Sequence, residues 1–388
     1  MMRNERCPLC GSETDLVIQL RLNAKMNIPA EPGIRHCASD NFLFVANGCQ
    51  TDYDEYYKSL ANDSYHAELS GRSTRSPISE LQRGRLVQAL GEFFDRSRKV
   101  LDFGCGEASL LVELAIEFPA STFWGFDPGP AAQIGTKKAK ALNLDNLSIA
   151  DLETSTLYGP YDLVVASHVI EHLLDFDVLH LLNTLLGEGG LLYIEVPNAL
   201  QYIEYERREF LYYFDRLHVN HFTPQSLTRL VAVHGFGYVR HFEYAFPYRD
   251  GNEYPALGML FRKGREICGI SSPSILDTAR RYISQEKERA KAVAGQLNAC
   301  EGVLVWGAGD NLHRSAENGG PLSNLQNMVV LDRRPQEISI GGRKYITQDP
   351  QEGIRRYSWP VVITVSEGRK SLGDLVRQID PQRPVFFV

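Results

Sequence analysis

The sequence predicts a doubly wound α/β protein, a parallel sheet covered by helices on both faces, followed by a second and smaller unit of the same kind. Three observations carry this. Near-continuous runs of Val, Leu and Ile alternate with helical patterns from about residue 80 to 262. Two such runs end in glycine-punctuated loops, VLDFGCGEAS at 100–109 and VLVWGAGD at 303–310. Between them lies a polar, Lys/Glu/Arg/Ala-rich stretch, 274–298, with the pattern of one long joining helix.

A chain of 388 residues is too long for one core, and the patterns divide it into four parts. Residues 1–70 form a Cys- and Tyr-rich module, 71–264 the main α/β domain, 265–300 the linker helix, and 301–388 a C-terminal α/β unit. The formal net charge of −7 offers no basic field to nucleic acid or an anionic membrane. The most apolar stretch, 162–196, is interrupted by His168, Glu171, His172, Asp175, Asp177, Asn183 and Glu188, which excludes a transmembrane helix there. The start, MMRNERCPLC, lacks the apolar core of a signal peptide. The expectation is a cytoplasmic monomer or homodimer acting on a small molecule. In that compartment seven cysteines serve as thiols or metal ligands.

The expected order in the main domain is strand Lys99–Phe103, helix Ser109–Glu117, strand Thr122–Asp127, helix Ala131–Ala141, strands Leu147–Ala150 and Asp162–Ser167, helix Leu174–Leu186 and strand Gly190–Val196. Further on, Thr223 and Pro224 make a good helix start, Thr as N-cap and Pro in the first turn, with Gly235 as the stop. In the C-terminal unit the pattern runs VLVWGAGD, a helix, NMVVLDRRP, a short KYIT run, another helix and then PVVITVSEG.

The first glycine loop presents Asp102, Gly104 and Gly106, and Ser109 stands where a dinucleotide site has its third glycine. The next strand ends in GFDP, so Asp127 reaches the same edge, where a carboxylate can accept both hydroxyls of a ribose. IADLE brings Asp151 there as well, within reach of an adenine. A carboxylate at Asp102 suits an amino-acid ammonium better than a pyrophosphate, which favours S-adenosylmethionine over a dinucleotide.

Together VLDFGCGEAS, GFDP, YDLVVASHVIEHLLD and LGEGGLLYIEVPN resemble a class I S-adenosylmethionine-dependent methyltransferase over about half the chain. The resemblance implies that Asp102, Gly104 and Gly106 cradle the methionine portion, with Cys105 between the glycines. Asp127, followed by Pro128, holds the ribose, and Asp151 with Leu152 lies beside the adenine. Ser167 and His168 line the floor between cofactor and substrate.

Methyl transfer to carbon or to a hydroxyl requires the acceptor to lose a proton, so a base of near-neutral pKa is useful. His168, Glu171 and His172 lie on a loop-to-helix transition at the carboxyl edge of the sheet; Glu171 and His172 serve either in acid–base work or in orienting the next helix, and Glu171 is also counted among the substrate-binding residues. His218 and His221 precede the Thr223 cap on an extended segment. His218 is the preferred base, with His221 or His168 nearby.

CPLCG at 7–11 is half of a zinc knuckle, and Cys37 with Asp40 follows where a second CxxC would stand. Cys7, Cys10, Cys37 and Asp40 form a candidate structural zinc set, in which His36 or Cys49 is the alternative to Asp40. This module, the tyrosines of DYDEYYKSLANDSYH and the C-terminal GAG loop together are similar to the deoxysugar C-methyltransferases. That resemblance implies a lid carrying Tyr56, Tyr57 and Tyr65, with Tyr65 positioning the acceptor. It also implies a nucleotide-linked sugar as substrate, its nucleotide held by the C-terminal unit. Two departures are visible: that family usually has a fourth Cys and a His-Glu-His run, and here the run reads Arg216, Leu217, His218. Oxygen or nitrogen methylation of a natural-product or polysaccharide precursor is the alternative. An NAD-dependent oxidoreductase built on Gly307, Gly309 and Asp332 is the less favoured one, because Asn311 and His313 stand where a third glycine belongs.

Overall fold

The computed structural model describes residues 5–23, 28–59, 77–205, 207, 209–247, 252–264, 269–365 and 368–388, without the side chains of 57–59, 77 and 157. The apolar runs form strands buried on both faces, which is why they read as nearly continuous. Leu101, Phe103, Val164, Ala166, Leu192 and Ile194 point into one core, whereas Val100, Leu163, Val165, Leu191 and Tyr193 point into another on the opposite face. Burying a side chain of this kind contributes roughly 1.5–3 kcal/mol, so the sheet is the anchor of the molecule.

In chain order the N-terminal elements are β1 (Asp15–Gln19), β2 (Gly33–Cys37), β3 (Phe42–Ala46), α1 (Gln50–Ser59) and α2 (Pro77–Leu90). The main domain adds β4 (Lys99–Phe103), α3 (Ser109–Glu117), β5 (Thr122–Phe126), α4 (Ala131–Ala141), β6 (Leu147–Ile149), α5 (Leu152–Leu157), β7 (Tyr161–Ser167), α6 (Val178–Leu185) and β8 (Leu186–Pro197). It continues with β9 (Asn220–His221), α7 (Pro224–Ala232), β10 (Phe236–Pro247) and β11 (Glu253–Lys263).

The seven-stranded sheet has the order β10-β11-β8-β7-β4-β5-β6. The strands β8, β7, β4, β5 and β6 run parallel, and the β10–β11 hairpin adds on through an antiparallel β11–β8 pairing. From β4 the chain winds first towards β6 and then, through β7, towards β8. The crevice at the carboxyl ends of β4 and β7 is therefore the switch point at which open α/β sheets bind ligands.

Helix α6 begins at Val178, four residues later than its sequence pattern suggests. The Asn220 side-chain amide donates to the Ile170 and Leu173 carbonyls at 2.9 and 2.7 Å. A short turn at Ile170–His172 precedes the helix and is held there by the Asn220 amide. Thr223 caps α7 by accepting from the Ser226 amide, while the Ser226 hydroxyl accepts from the Thr223 amide, with Pro224 in the first turn.

The small sheet β1-β2-β3-β9 recruits its last strand from residues after β8, pairing Leu43 with His221 and Phe44 with Asn220. The cysteine-bearing module is thereby tied to the segment that carries His218. Helix α8 (Ile275–Leu297), capped by Ser274, leads to β12 (Val303–Trp306), α9 (Asp310–Glu317), β13 (Met328–Leu331), β14 (Glu337–Ile340) and β15 (Arg343–Ile346). Then come α10 (Pro350–Arg356), β16 (Val361–Ile363), α11 (Arg369–Ile379) and β17 (Val385–Phe387). Strands β13-β12-β16-β17 form a parallel sheet. No described helix is long and apolar enough to cross a membrane.

Candidate active site

Strand β4 delivers Asp102 to the switch point. Its carboxylate is 3% exposed, and Oδ1 is buried without a hydrogen-bond partner. Burial, reinforced by the charges of Asp127 and Glu195, pushes its pKa up to about 7. The chain then turns at Gly104, φ +80°, where a Cβ would stand 2.4 Å from Val169 Cγ2. The Gly104 and Cys105 amides both donate to the Phe126 carbonyl, at 2.7 and 2.9 Å. Gly106, φ +51°, donates its amide to Asp127 Oδ2 at 2.9 Å, and the Gly129 amide donates to Oδ1 at 2.7 Å. Asp127 therefore braces the loop, and each of its oxygens keeps a second lone pair. The Cys105 thiol packs beside Gly125, and burial holds it neutral.

Pro128 is exposed next to Asp127, and Leu152 is half-buried against the main core. Asp151 caps α5, its Oδ1 accepting from the Thr154 amide at 2.7 Å, and this bond holds its carboxyl below the usual range.

Strand β7 ends in Ser167 and His168, and β8 places Glu195 beneath them. The Ser167 hydroxyl donates to Glu195 Oε1 at 3.2 Å. The Tyr193 hydroxyl donates to Oε2 at 3.0 Å, and Tyr244 donates there as well. His168, φ +55°, donates Nδ1–H to Glu171 Oε1 at 3.0 Å, and its Nε2 lies 3.3 Å from Glu195 Oε1 without hydrogen-bond alignment. Burial alone would lower the His168 pKa, but Glu171 and Glu195 outweigh it and raise it to about 10. The two carboxylates thus favour the imidazolium form of His168. Glu195, absent from the residues expected from sequence, organises this floor; a lone Glu within LLYIEVPN was the available signal.

Glu171 is fully buried and its Oε2 has no partner. Burial would raise its pKa, yet His168, His172 and His218 together hold it below the usual range. His172 donates Nδ1–H to the Leu217 carbonyl at 2.9 Å, and its ring packs 5.0 Å from that of His218. Burial lowers the His172 pKa. Glu171, His172 and His218 bring one donor atom each within 4.8 Å of one another. Asp215, a second residue not anticipated, accepts the Leu217 and His218 amides at 2.7 and 2.8 Å and so shapes this turn.

The structure gives His221 a different setting. It is 1% exposed on β9, receives or donates a hydrogen bond with the Tyr202 hydroxyl at 3.0 Å, and is edge-packed by Phe214. Burial drops its pKa to about 3, which keeps it neutral. Tyr56 lies on α1, half-buried against the aromatic cluster of Tyr53, Tyr202 and Tyr213. Tyr65 and the side chain of Tyr57 lie outside the described residues.

Cys7, Cys10, Cys37 and Asp40 converge, their donor atoms within 4.8 Å of one another. The Cys7 and Cys37 thiols approach Asp40 Oδ2 at 3.1 and 3.4 Å, and Cys10 Sγ lies 3.7 Å from Cys37 Sγ. Arg229 donates to Oδ1 of Asp40 at 3.1 Å. Neither His36 nor Cys49 belongs to this group. Three soft thiols and one carboxylate fit tetrahedral zinc.

In the C-terminal unit the Gly307 amide donates to the Leu331 carbonyl at 2.9 Å, and the Ala308 amide to Asp332 Oδ2 at 3.2 Å. Asn311 is built into the scaffold, its amide donating to the Thr364 and Val388 carbonyls at 2.9 and 2.7 Å. His313 is buried beside Glu317 at 3.5 Å. Gly309 opens α9, and Asp310 pairs with the buried Arg216 at 2.7 Å.

Comparisons with known proteins match the middle of the chain. A family model described as a methyltransferase domain matches residues 77–241. Trans-aconitate 2-methyltransferase of Deinococcus radiodurans is 33% identical over 136 residues, covering 35% of this chain and 48% of that protein. An uncharacterized protein of Rickettsia prowazekii is 34% identical over 105 residues, covering 25% of this chain and 41% of that one. The chain thus spans about half the length or less of these curated relatives. Magnesium protoporphyrin IX methyltransferase from Synechocystis, solved with S-adenosylhomocysteine bound, is 16% identical and covers 55% of this chain and 100% of its own, at a TM-score of 0.41. The methyltransferase-domain model thus matches the segment that carries the glycine loop and its two aspartates.

Proposed function

We propose that the chain transfers the methyl group of S-adenosylmethionine to a small-molecule acceptor, a nucleotide-linked deoxysugar, with His218 removing the acceptor's proton. The observation that carries this reading is Asp102, a buried carboxylate with an unpartnered Oδ1 at the switch point, framed by Gly104 and Gly106. A buried orphan oxygen of this kind calls for a cationic donor, and an amino-acid ammonium supplies one. Asp102 and the loop of Gly104, Cys105 and Gly106 would hold the methionine part, Asp127 and Pro128 the ribose, and Asp151 and Leu152 the adenine. The bound cofactor supplies an electrophilic methyl group on a sulfonium.

The protein's own work is alignment and proton removal. His168 and Ser167, fixed by Glu195, form the floor. His218 has buried carboxylates, Glu171 and Asp215, on hand to stabilise the imidazolium it becomes; both have their pKa lowered in part by its charge. His221 positions Tyr202. Cys7, Cys10, Cys37 and Asp40 would hold a structural zinc that fixes β2 and, through β3 and β9, the His218 segment. Tyr56, Tyr57 and Tyr65 would cover the acceptor.

A second reading is favoured by Arg216, 2% exposed with Nε and Nη1 lacking partners. Such a guanidinium suits a carboxylate-bearing acceptor, in keeping with the trans-aconitate relative. It keeps the chemistry and changes the acceptor to one methylated at oxygen.

Calorimetric titration with S-adenosylhomocysteine, with NAD in parallel, tests the donor site. Saturable binding of S-adenosylhomocysteine that is lost in Asp127→Ala is expected. Binding of NAD alone would overturn the reading and move attention to Gly307 and Asp332.

A further inference from the structure

We propose that Glu171, His172 and His218 form a binding site for a divalent first-row metal ion, separate from the cysteine cluster. Three observations on the chain point there.

The first is the donor set. Two imidazoles and a carboxylate bring one ligand atom each within 4.8 Å of one another. This is the two-His, one-carboxylate combination that binds a late first-row dication on one face and leaves the opposite positions open. No lysine or arginine belongs to the set.

The second is the tautomer of His172. A backbone carbonyl can only accept, so the 2.9 Å contact from Nδ1 to Leu217 O puts a proton on Nδ1. In the neutral ring Nε2 is then the lone-pair nitrogen, and it lies 4.0 Å from Glu171 Oε1. Two electron-rich groups face each other, an arrangement that a shared cation stabilises. A ring N–H fixed on a backbone carbonyl is also the usual support of a metal-ligating histidine.

The third is Glu171 itself. Its side chain is fully buried, Oε1 is held by the His168 N–H at 3.0 Å, and Oε2 has no partner. An oriented carboxylate with one oxygen committed and one orphaned is a ligand awaiting its ion. His172 and His218 are both half-buried, so the cluster is not sealed from solvent.

The metal and the acceptor's proton compete for the same lone pair of His218. Within the methyl-transfer reading, on which this one consequence rests, an ion bound here removes the base and slows turnover. Binding itself does not depend on that reading.

The test uses the 388-residue chain given one equivalent of Zn2+, which the three thiolates take in preference to nitrogen and oxygen donors, and Co2+ is then added. One further equivalent of Co2+ is expected, with weak visible absorption from nitrogen and oxygen ligands and no thiolate charge-transfer band. The affinity should fall by about 10-fold or more in His218→Asn. Glu171→Gln should do the same; the half-buried His218 variant carries the test if the buried Gln does not fold. Absence of saturable binding beyond the cysteine set, or binding unchanged in His218→Asn, would overturn the proposal. Titration with S-adenosylhomocysteine on the same samples reports the donor site separately, so either reading can fail alone.

Discussion

Replacing Asp102 by Asn should make the cofactor-free protein more stable at alkaline pH and a poorer cofactor binder. The carboxyl is raised from its ordinary 3.8 to about 7 by burial and by Asp127 and Glu195. Each tenfold change in proton affinity is about 1.4 kcal/mol, so ionising Asp102 in place costs the fold at most about 4 kcal/mol. The sign follows from proton counting: between pH 4 and 7 the native state holds a proton that the unfolded chain has lost. Stability therefore falls as pH rises through this window, and the whole cost is present above about pH 7. Asn keeps the shape and abolishes the charge. Denaturation of both proteins without ligand, from pH 4 to 8.5, should give curves that nearly coincide at the acid end. They should diverge to as much as about 4 kcal/mol in favour of Asn at the alkaline end. Titrating groups that do not interact with Asp102 are common to both proteins and cancel in the difference. Calorimetry at pH 8 should show S-adenosylhomocysteine binding weakened by roughly 1.5–3 kcal/mol, the worth of a hydrogen bond to a charged group. A stability difference that does not change with pH, or unaltered affinity, would refute the reasoning.

Gly104→Ala places a Cβ 2.4 Å from Val169 Cγ2 at a φ of +80°, and overpacking with left-handed strain should cost about 2–4 kcal/mol; thermal melting should show the loss, and Val169→Ala should restore part of it. Asp310→Asn strips the buried Arg216 of its 2.7 Å carboxylate partner. It should lower stability by about 1–3 kcal/mol while leaving S-adenosylhomocysteine binding nearly unchanged, because neither residue belongs to the glycine loop or touches its aspartates. Stripping metal from the Cys7, Cys10, Cys37 and Asp40 cluster with a chelator should lower the melting temperature and expose thiols to a colorimetric reagent. An unchanged melting curve, with the thiols reactive from the outset, would show that no metal is held there.

The loop and its aspartates were legible because their geometry is local. A strand run, an Asp and two glycines sit within ten residues, and positive φ at Gly104 and Gly106 is what that spacing requires. The cysteine set was legible for the same reason, since two knuckles of close spacing limit where the ligands can go. What sequence did not disclose depends on residues brought together from afar. His172 and His218 meet because Asn220 ties its segment to the turn at Ile170–His172. The two-residue strand β9 that joins the N-terminal sheet is too short for any periodicity to register. Glu195 hid in an apolar run, although a charge within a strand buried on both faces was itself a sign of a special site.

The charges at the switch point explain why this glycine loop suits one class of nucleotide. Asp102, Glu171 and Glu195 are buried there, and the His168 imidazolium lies between two of them. In the proposed reading a donor carrying an ammonium and a sulfonium would enter with positive charge against this excess of carboxylates, and its arrival would let Asp102 ionise near neutral pH. A dinucleotide would bring a pyrophosphate against the same carboxylate and force it to keep its proton. The third glycine that such a pyrophosphate needs is absent, and Ser109 stands in its place, donating no room to the backbone. Electrostatics and loop geometry thus point to the same occupant. The discriminating residue is the acid before the glycines and not the glycines themselves, which is why the Asn substitution there reports on specificity as well as on stability.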